Sequence, residues 1–185
     1  RRQRARAMEL GLHAFLGAPA STKIFLDNGS FYFLRREGLT NHDEYVEFVT
    51  RAKPDWFPIP QDFIPSPSMS LDEQESCLHR TMANNDAFRH DGYIPVIHIS
   101  QVINEYIAAI RAQEGFSQKP GIAIGGIVPN LLRMPKARPY REVLRHIRVI
   151  RTAFRDKELH LFGVGGTATL HLATLLEKDS VDSSG

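Results

Sequence analysis

The chain has almost no cysteine, no long hydrophobic run and no low-complexity tract, and each of these absences excludes a class of protein. A single cysteine, Cys77, among 185 residues excludes an internal disulfide framework and a cysteine-rich zinc site within the chain. No apolar run is long enough to span a bilayer, and no segment reads as a signal peptide. We therefore expect a cytoplasmic protein without a membrane partner.

What remains is the composition of an ordinary globular protein. Hydrophobic residues make up 42% of the chain and charged residues 24%. A chain of 185 residues can bury a core of its own, so we treat residues 1–185 as one domain. The net charge is only +2, yet basic residues cluster in Arg1–Arg6 and again from Arg133 to Arg155. Such clusters can contact nucleic-acid phosphates, although a solvated helix face is the more common explanation.

Strand-like and helix-like segments alternate along the chain, which is typical of an α/β fold with a parallel sheet. The strand-like segments are mostly apolar with little alternation, as in strands covered on both faces. Pro58 and Pro60 predict an irregular end for the second of them. The six predicted strands are Lys23–Asp27, Asp55–Asp62, Tyr93–Ile99, Gly121–Ile127, Glu158–Val164 and Ser180–Ser183.

Helix-like segments precede and separate these strands. Ser70 begins a capping-box pattern, and Pro139 opens a segment with a clear apolar stripe. Opposite that stripe lies an arginine series, Arg141, Arg145, Arg148 and Arg155, which suits either a face that follows phosphates or the outer surface of a barrel helix. The predicted helices are Arg1–Leu16, Asp43–Ala52, Ser70–Asn85, Ser100–Glu114, Pro139–Phe154 and Thr167–Leu176.

Two architectures accommodate six parallel strands, an open doubly wound sheet and most of an eight-stranded (β/α)8 barrel of the TIM type. The chain opens with a helix that has no strand before it and closes with a strand that has no helix after it. We therefore favour a barrel that lacks its first two strands, in which the chain supplies the third to the eighth strand.

Polar and glycine residues gather where the predicted strands end, and in both architectures this edge carries the functional site. One carboxylate there can act as a nucleophile and another as a general acid or base. For any one of these residues the alternative is structural, such as capping the next helix for an aspartate or packing in the core for His98. The residues at strand ends are Asp27, Asp62, His98, Gly125, Gly126, Ile127, Gly163 and Asp182.

Two further segments beside these strand ends allow a functional and a structural interpretation. Gly163-Val164-Gly165-Gly166 could cradle a phosphate, but a tight turn into a helix also requires glycine. Arg133, Lys136 and Arg138 follow the Gly-Gly-Ile turn, and we expect them to contact nucleic acid. No set of His, Cys and carboxylate residues has the close spacing of a metal site.

Four of these segments, taken in order and spacing, resemble the tRNA-guanine transglycosylase superfamily. They are Asp27-Asn28-Gly29-Ser30-Phe31, Gly121–Ile127, Leu161–Gly165 and Ser180–Ser183. The resemblance covers nearly the whole chain and implies an eight-stranded barrel. It also implies an enzyme that exchanges guanine in nucleic acid for a 7-deazaguanine such as preQ0.

The resemblance assigns a role to each residue at the site. It makes Asp182 the nucleophile that attacks the sugar C1′ and Asp27 the general acid/base for the departing and incoming bases. It implies that Asp62 bonds the base edge, and that Phe31 and Phe162 stack on the two faces of the base. The same resemblance gives backbone contacts with the base to Gly125, Gly126 and Ile127.

The chain also departs from the superfamily pattern. Asp-Ser-Gly-Gly-Phe becomes Asp27-Asn-Gly-Ser-Phe31, and His98 stands where the tRNA enzymes usually have a base-reading glutamine. These departures resemble the branch that inserts 7-deazaguanines into DNA, so we expect a DNA substrate, with tRNA as the alternative. A non-catalytic partner subunit is a further alternative, against which the presence of both Asp27 and Asp182 argues.

The resemblance also bears on cofactors and assembly. The proposed chemistry needs no redox cofactor or metal, and the zinc element of the tRNA enzymes would lie beyond Gly185. The expected partners are DNA or tRNA, a 7-deazaguanine base, and a second copy of the chain or a partner subunit.

Overall fold

The computed structural model describes residues 2–27, 41–59, 63–87, 92–166 and 179–182, together with residues 171, 174 and 176. The chain divides into two compact units. The first comprises Arg1–Asp62 and Phe88–Tyr93, and the second comprises Phe63–Ala87 and Ile94–Gly185. The assignment of residues 1–185 to one domain stays a prediction.

The described residues of the first unit form three helices, and a glycine divides the segment that was predicted as one opening helix. Helix α1 spans Arg2–Leu10 and helix α2 spans Leu12–Leu16. Between them Gly11 has φ 78°, a left-handed conformation that side chains rarely adopt and that ends the helical run. Helix α3, His42–Ala52, is capped by Asn41, whose side chain accepts the Glu44 N–H at 3.1 Å.

Strand structure in the first unit is short. The predicted strand Lys23–Asp27 makes one parallel bridge, between Phe25 and Trp56, and the Leu26 N–H donates to the Trp56 carbonyl at 2.8 Å. Strand β1 is Phe57–Pro58 and pairs with β2, Tyr93–Ile94. Proline offers no N–H, so Pro58 can continue the strand only where no donor is required.

The second unit contains a four-stranded parallel sheet whose strands follow the order of the sequence. They are β3 (Val96–His98), β4 (Gly121–Gly125), β5 (Glu158–Leu161) and β6 (Ser180–Val181). The predicted α/β class with parallel strands is confirmed. No closed barrel is present among the described residues, so the eight-stranded architecture stays a prediction.

Within the described ranges, four helices accompany this sheet, with a 3-10 turn at Phe116–Gln118. These helices are α4 (Leu71–Ala87), α5 (Ile103–Ala112), α6 (Val128–Leu131) and α7 (Tyr140–Ala153). The predicted capping box is confirmed at α4. The Ser70 N–H donates to Glu73 Oε2 at 2.7 Å, and the Glu73 N–H donates to Ser70 Oγ at 3.3 Å. Helix α6 was not predicted, and most of the predicted helix Thr167–Leu176 lies outside the described residues.

The two faces of the sheet differ in chemistry. One face packs against the helices in a single apolar core, and each fully buried aliphatic side chain contributes about 1.5–3 kcal/mol to stability. This face carries Ile97, Ile99, Ile122, Ile124, Leu159 and Leu161. Since side chains alternate along a strand, the intervening residues lie on the opposite face, and these are mostly small or polar.

Candidate active site

The opposite face of the sheet gathers two histidines, two small residues and the hydroxyl of a serine. Strand register pairs His98 with Gly125, Ala123 with His160, and His160 with Ser180. Continuing the same alternation places Phe162 and Asp182 on this face, directly after β5 and β6. The structure therefore brings Asp182, Phe162, His98 and Gly125 to one face of one sheet, and their roles stay predictions.

Asp182 is held by the glycine turn that follows the neighbouring strand. Its Oδ1 accepts the Gly163 N–H, and its backbone carbonyl accepts the Gly165 N–H at 2.6 Å. Its own N–H donates to the Leu161 carbonyl at 3.2 Å. Its side chain is 31% exposed. The aspartate is therefore fixed on both its backbone and its carboxylate, yet it stays open to solvent on one side.

The surroundings of Asp182 also change its acidity. Burial raises the pKa of its carboxyl group, and the Gly163 N–H opposes this effect by stabilising the anion. A carboxylate with a raised pKa is more basic than a fully solvated one. Such an environment is common for reactive carboxylates in enzymes.

His160 is the residue of this site that the sequence interpretation missed. It is buried, its Nδ1 lies 2.8 Å from Ser180 Oγ, and its Nε2 lies 4.0 Å from Asp182 Oδ1. A signal for it was present, because His160 lies two residues before Phe162 and Ser180 lies two residues before Asp182, so each pair shares a face of the sheet. Only the strand register could show that the two pairs face one another.

Phe162 adds an aromatic surface beside the histidine. The two rings meet edge to face, with centroids 4.9 Å apart and planes at 76°. Phe31, the other ring predicted to stack on a base, lies outside the described residues. The stacking of a base between the two rings therefore stays a prediction.

Gly163 is required by close packing at this turn. It has φ 73°, and a Cβ at this position would lie 2.3 Å from Cγ2 of Val128 in α6. No other residue fits without displacement of Val128. The structural interpretation of this glycine, a tight turn, therefore has direct support, and a phosphate is not needed to explain it.

His98 and Gly125 also pack closely together. A Cβ on Gly125 would lie 2.7 Å from His98 Nδ1, so glycine is the only residue that leaves room for the ring. His98 is 1% exposed, and burial lowers its pKa to about 3, which keeps the imidazole neutral. Its ring meets the edge of Tyr106 at 6.0 Å. His98 thus lies in the core, as the structural interpretation of this residue predicts. Its contact with a base stays a prediction.

The Gly-Gly-Ile turn after β4 is clamped by a residue that the sequence interpretation also missed. Buried Asn130 donates from Nδ2 to the Gly126 carbonyl at 2.9 Å and accepts the Arg138 N–H on Oδ1 at 2.8 Å. The Gly125 carbonyl accepts the Ile99 N–H at 2.9 Å. In the described part of the chain the N–H groups of Gly126 and Ile127 donate to no acceptor, so these donors can serve a ligand.

The predicted nucleic-acid contacts after this turn divide into two kinds. Arg133 and Lys136 are exposed and have positive φ values of 52° and 60°. Arg133 lies against Tyr140, with its guanidinium carbon 5.5 Å from the ring centroid. Arg138 instead bonds Glu142 at 3.2 Å and is mostly buried. Arg133 and Lys136 are therefore displayed to solvent, and Arg138 has a structural partner.

The second predicted catalytic acid, Asp27, lies in the other unit. It is exposed, and its negative charge adds to burial in raising the pKa of Tyr45, whose hydroxyl donates to the Pro58 carbonyl at 2.5 Å. Asp62, predicted to bond the base edge, lies outside the described residues. The pairing of Asp27 with Asp182 across one reacting centre therefore stays a prediction.

Metal clusters and membrane-spanning helices are both absent from the part of the chain that the structure describes. Among the described residues, no three His, Cys, Asp or Glu side chains are arranged to hold a metal ion. In the same part of the chain, no helix is both long and apolar enough to cross a membrane.

Fold and site together define a class, a parallel α/β protein with a fixed carboxylate at the carboxyl edge of its sheet. No protein-family model matches the chain. Across an alignment of 197 residues, which includes the whole chain, it is 27% identical to the tRNA-guanine(15) transglycosylase of Pyrococcus abyssi (strain GE5 / Orsay). The chain spans 31% of that relative's length. This similarity supports the resemblance to the transglycosylase superfamily and carries no information on a DNA-modifying branch.

Proposed function

We propose that the protein exchanges a guanine in nucleic acid for a 7-deazaguanine through a covalent aspartyl intermediate. The observation that carries this proposal is Asp182, a half-buried carboxylate held by the Gly163 N–H beside His160 and Phe162. The similarity to a tRNA-guanine transglycosylase supports the reaction class. A nucleophilic carboxylate, an aromatic ring and backbone donors are the groups that such an exchange requires.

The chemistry proceeds in two displacements at the sugar C1′. An oxygen of Asp182 attacks C1′, the bond from C1′ to the base nitrogen breaks, and the base leaves with that electron pair and a proton from Asp27. The product is a glycosyl ester on Asp182, as in retaining glycosidases. The incoming base then gives its ring proton to Asp27 and attacks C1′, which releases the carboxylate of Asp182.

The geometry around Asp182 suits the first displacement. The Gly163 N–H holds one carboxylate oxygen, which orients the group without a change of rotamer during attack. Burial raises the pKa of Asp182, so the ionised carboxylate is a stronger nucleophile than an exposed one. The same N–H can stabilise the carboxylate again when it departs.

The reacting base must leave its stack to enter the pocket. We assign one face of the base to Phe162 and its edge to the N–H groups of Gly126 and Ile127, which have no other acceptor among the described residues. The resemblance supplies the remaining contacts, from Phe31, Asp62 and His98.

Two nucleic acids, DNA and tRNA, are candidates for the substrate, and a different observation supports each. The departures at Asp27–Phe31 and at His98 favour DNA, which is our first choice. The name of the archaeal relative favours tRNA as the second. A 2′-hydroxyl contact would distinguish the two polymers.

Incubation of the protein with radiolabelled 7-cyano-7-deazaguanine and either duplex DNA or tRNA tests both reaction and polymer. We expect label in DNA with the wild-type protein and at least a thousandfold less with Asp182→Asn. Asp156→Asn is the matched control, since this aspartate is 76% exposed beside Lys157 and should leave incorporation unchanged. Label in tRNA alone would remove the DNA assignment, and full incorporation by Asp182→Asn would remove the nucleophile.

A further inference from the structure

A basic groove lies between α5 and α7 in the second unit, on a surface that the proposed reaction does not use. Its volume is about 650 Å³. The floor is apolar and the rim carries four arginines, and no acidic residue is among the side chains that line the described groove. The floor residues are Ile107, Leu144, Val149 and Ala153, and the rim residues are Asn104, Arg111, Arg141, Arg145, Arg148 and Thr152.

Three of the arginines form one line along α7. Arg141, Arg145 and Arg148 are spaced by four and three residues, which places them on the same side of the helix over a rise of about 10 Å. All three are exposed. Like charges at this spacing destabilise a helix, so the sequence carries an arrangement that the helix itself does not favour.

Other arginines of the chain show that this arrangement is not general. Four other arginines in the described part of the chain each form an ion pair with a carboxylate. These pairs are Arg4 with Glu44 at 2.6 Å, Arg51 with Glu47 at 3.2 Å, Arg138 with Glu142 at 3.2 Å and Arg151 with Asp179 at 2.7 Å. Within the described residues, no carboxylate forms an ion pair with Arg141, Arg145 or Arg148.

The remaining contacts of the groove leave its positive charge in place. Arg111 donates to the Ala153 carbonyl at 2.6 Å, which positions its guanidinium at the end of α7. Arg145 lies 3.3 Å from His146 Nε2. The pKa of His146 is lowered first by burial and then by Arg138 and Arg145, while Glu142 opposes this shift, and His146 itself does not line the groove.

We propose that this groove binds the phosphodiester backbone of a nucleic acid, and this inference rests on the proposed function for its choice of polyanion. The planar fork of arginine matches phosphate oxygens and is the usual choice where phosphates are recognised. A duplex advances about 3.4 Å per phosphate on one strand, so the arginine line spans about three phosphate steps. An acidic protein segment offers the same sign of charge, but it seldom sustains that density along a line.

The test is the salt dependence of binding, measured by fluorescence anisotropy with a labelled 20-base-pair DNA duplex and with tRNA. The Asp182→Asn protein is used so that turnover does not contribute. The affinity for duplex DNA falls as salt rises, and each phosphate contact makes the plot of log affinity against log salt steeper by about 0.9. We expect the plot to become shallower by about 0.9 in Arg148→Gln. It should become shallower by about 2.7 in the triple variant Arg141→Gln/Arg145→Gln/Arg148→Gln.

The sequence groups Arg155 with the arginine series, but in the structure it lies beyond the last residue of α7 and does not line the groove. Arg155→Gln is therefore the matched control, since it removes the same charge from an exposed arginine outside the groove. Its slope should equal that of the parent protein. Circular dichroism of every variant checks that α7 remains folded. Equal slopes for Arg148→Gln and Arg155→Gln would overturn the proposal. Loss of poly-glutamate binding in the triple variant with unchanged nucleic-acid binding would also overturn it and identify an acidic protein as the occupant.

The outcomes also separate this inference from the proposed function. If the groove variants lose nucleic-acid binding and the wild-type protein incorporates no base, the groove stands and the base-exchange reaction does not. If the wild-type protein incorporates base and the groove variants bind as tightly as the parent, the reaction stands and the groove proposal is wrong.

Discussion

At the scale of single residues, Asp182 combines two properties that oppose one another. Its carboxylate has to be ionised to attack a sugar, yet burial favours the neutral acid and raises its pKa. The Gly163 N–H reduces this penalty without removing it. An amide oxygen could accept the same N–H without this penalty, so the charge at this position supports the proposed role of Asp182 as a nucleophile.

The first prediction concerns Asp182→Asn, which keeps an oxygen acceptor for the Gly163 N–H and removes the charge. Because the folded pKa is raised, the charged form is less stable in the folded than in the unfolded protein. The penalty is therefore present above the raised pKa. We expect Asp182→Asn to be at least as stable as the wild type at pH 7 in urea unfolding, while base exchange is lost. A clear loss of stability would contradict this interpretation.

The second prediction concerns His160, which we regard as a residue that positions Asp182. If Ser180 Oγ donates to Nδ1, the ring proton lies on Nε2 and faces the carboxylate 4.0 Å away. This distance exceeds a hydrogen bond, so its effect is electrostatic and moderate. We expect His160→Phe to lower kcat about tenfold with little change in KM and to shift the acidic limb of the kcat/KM profile to higher pH.

Two variants separate positioning from packing at His160. His160→Gln keeps a polar side chain and should recover part of the activity, whereas Ser180→Ala should shift the pH profile in the same direction by less. Loss of activity in His160→Phe with an unmoved acidic limb would show that the ring acts only by filling space.

At the scale of elements, the site depends on how turns are packed against one another. The glycine turn after β5 is held to β6 through Asp182 and to α6 through the contact of Gly163 with Val128. The turn after β4 is clamped by Asn130, also on α6. Helix α6 has only four residues, yet it fixes both turns, and for this reason its absence from the sequence prediction matters.

The third prediction follows from this packing. Gly163→Ala places a Cβ 2.3 Å from Val128 Cγ2 and forces alanine into positive φ. We expect a loss of about 2 to 4 kcal/mol, from backbone strain and overpacking together. Val128→Ala in the same chain relieves the clash but not the φ strain, so the double variant should recover only part of the loss. Full recovery would show that the backbone conformation carries no cost.

At this scale, the sequence predicted the features that depend on neighbouring residues and missed those that depend on the packing of other segments. The capping box at Ser70 and the proline start of α7 depend on neighbours within one turn, and both were predicted. Gly11 was passed over because a glycine inside a helical pattern is often tolerated. His160 and Asn130 act through partners 20 and 4 to 8 residues away, which only strand register and turn packing reveal.

At the scale of the whole molecule, two described aspartates, Asp55 in the first unit and Asp182 in the second, have pKa values shifted in opposite directions. A third carboxylate, Glu73 in the second unit, has a lowered pKa because it accepts the Ser70 N–H. In the first unit the Ile24 N–H at 2.8 Å, with His13 and Lys23, lowers the pKa of Asp55 to about 2. In the second unit burial raises the pKa of Asp182. The chain has a single tryptophan, Trp56 in the first unit, and a single cysteine, Cys77, buried in the second, so each unit carries its own probe.

The fourth prediction is that acid changes the contributions of Asp55 and Asp182 to stability with opposite sign. The contribution of Asp55 is complete above its unfolded pKa and is lost as the pH falls from about 4 through about 2. The contribution of Asp182 changes the other way, since its folded form holds a proton more tightly and gains stability as the pH falls through the raised pKa. Glu73, in the same unit as Asp182, loses its contribution with acid, so the effect of Asp182 is isolated by its substitution. In urea, a change from pH 5.5 to pH 3.5 should lower the midpoint of the Trp56 fluorescence transition, and it should lower the midpoint of the Cys77 thiol-reactivity transition less in the wild type than in Asp182→Asn.

The two aspartates supply their own controls. Asp55→Asn should remove the acid sensitivity of the Trp56 transition and lower its midpoint at pH 5.5, because the amide cannot replace the charge-assisted bonds to Ile24, His13 and Lys23. Asp182→Asn should make the midpoint of the Cys77 transition fall more with acid, because only the loss from Glu73 then remains, and it should leave the Trp56 transition unchanged. Transitions that coincide at both pH values and respond together to either substitution would mean that the two units unfold as one.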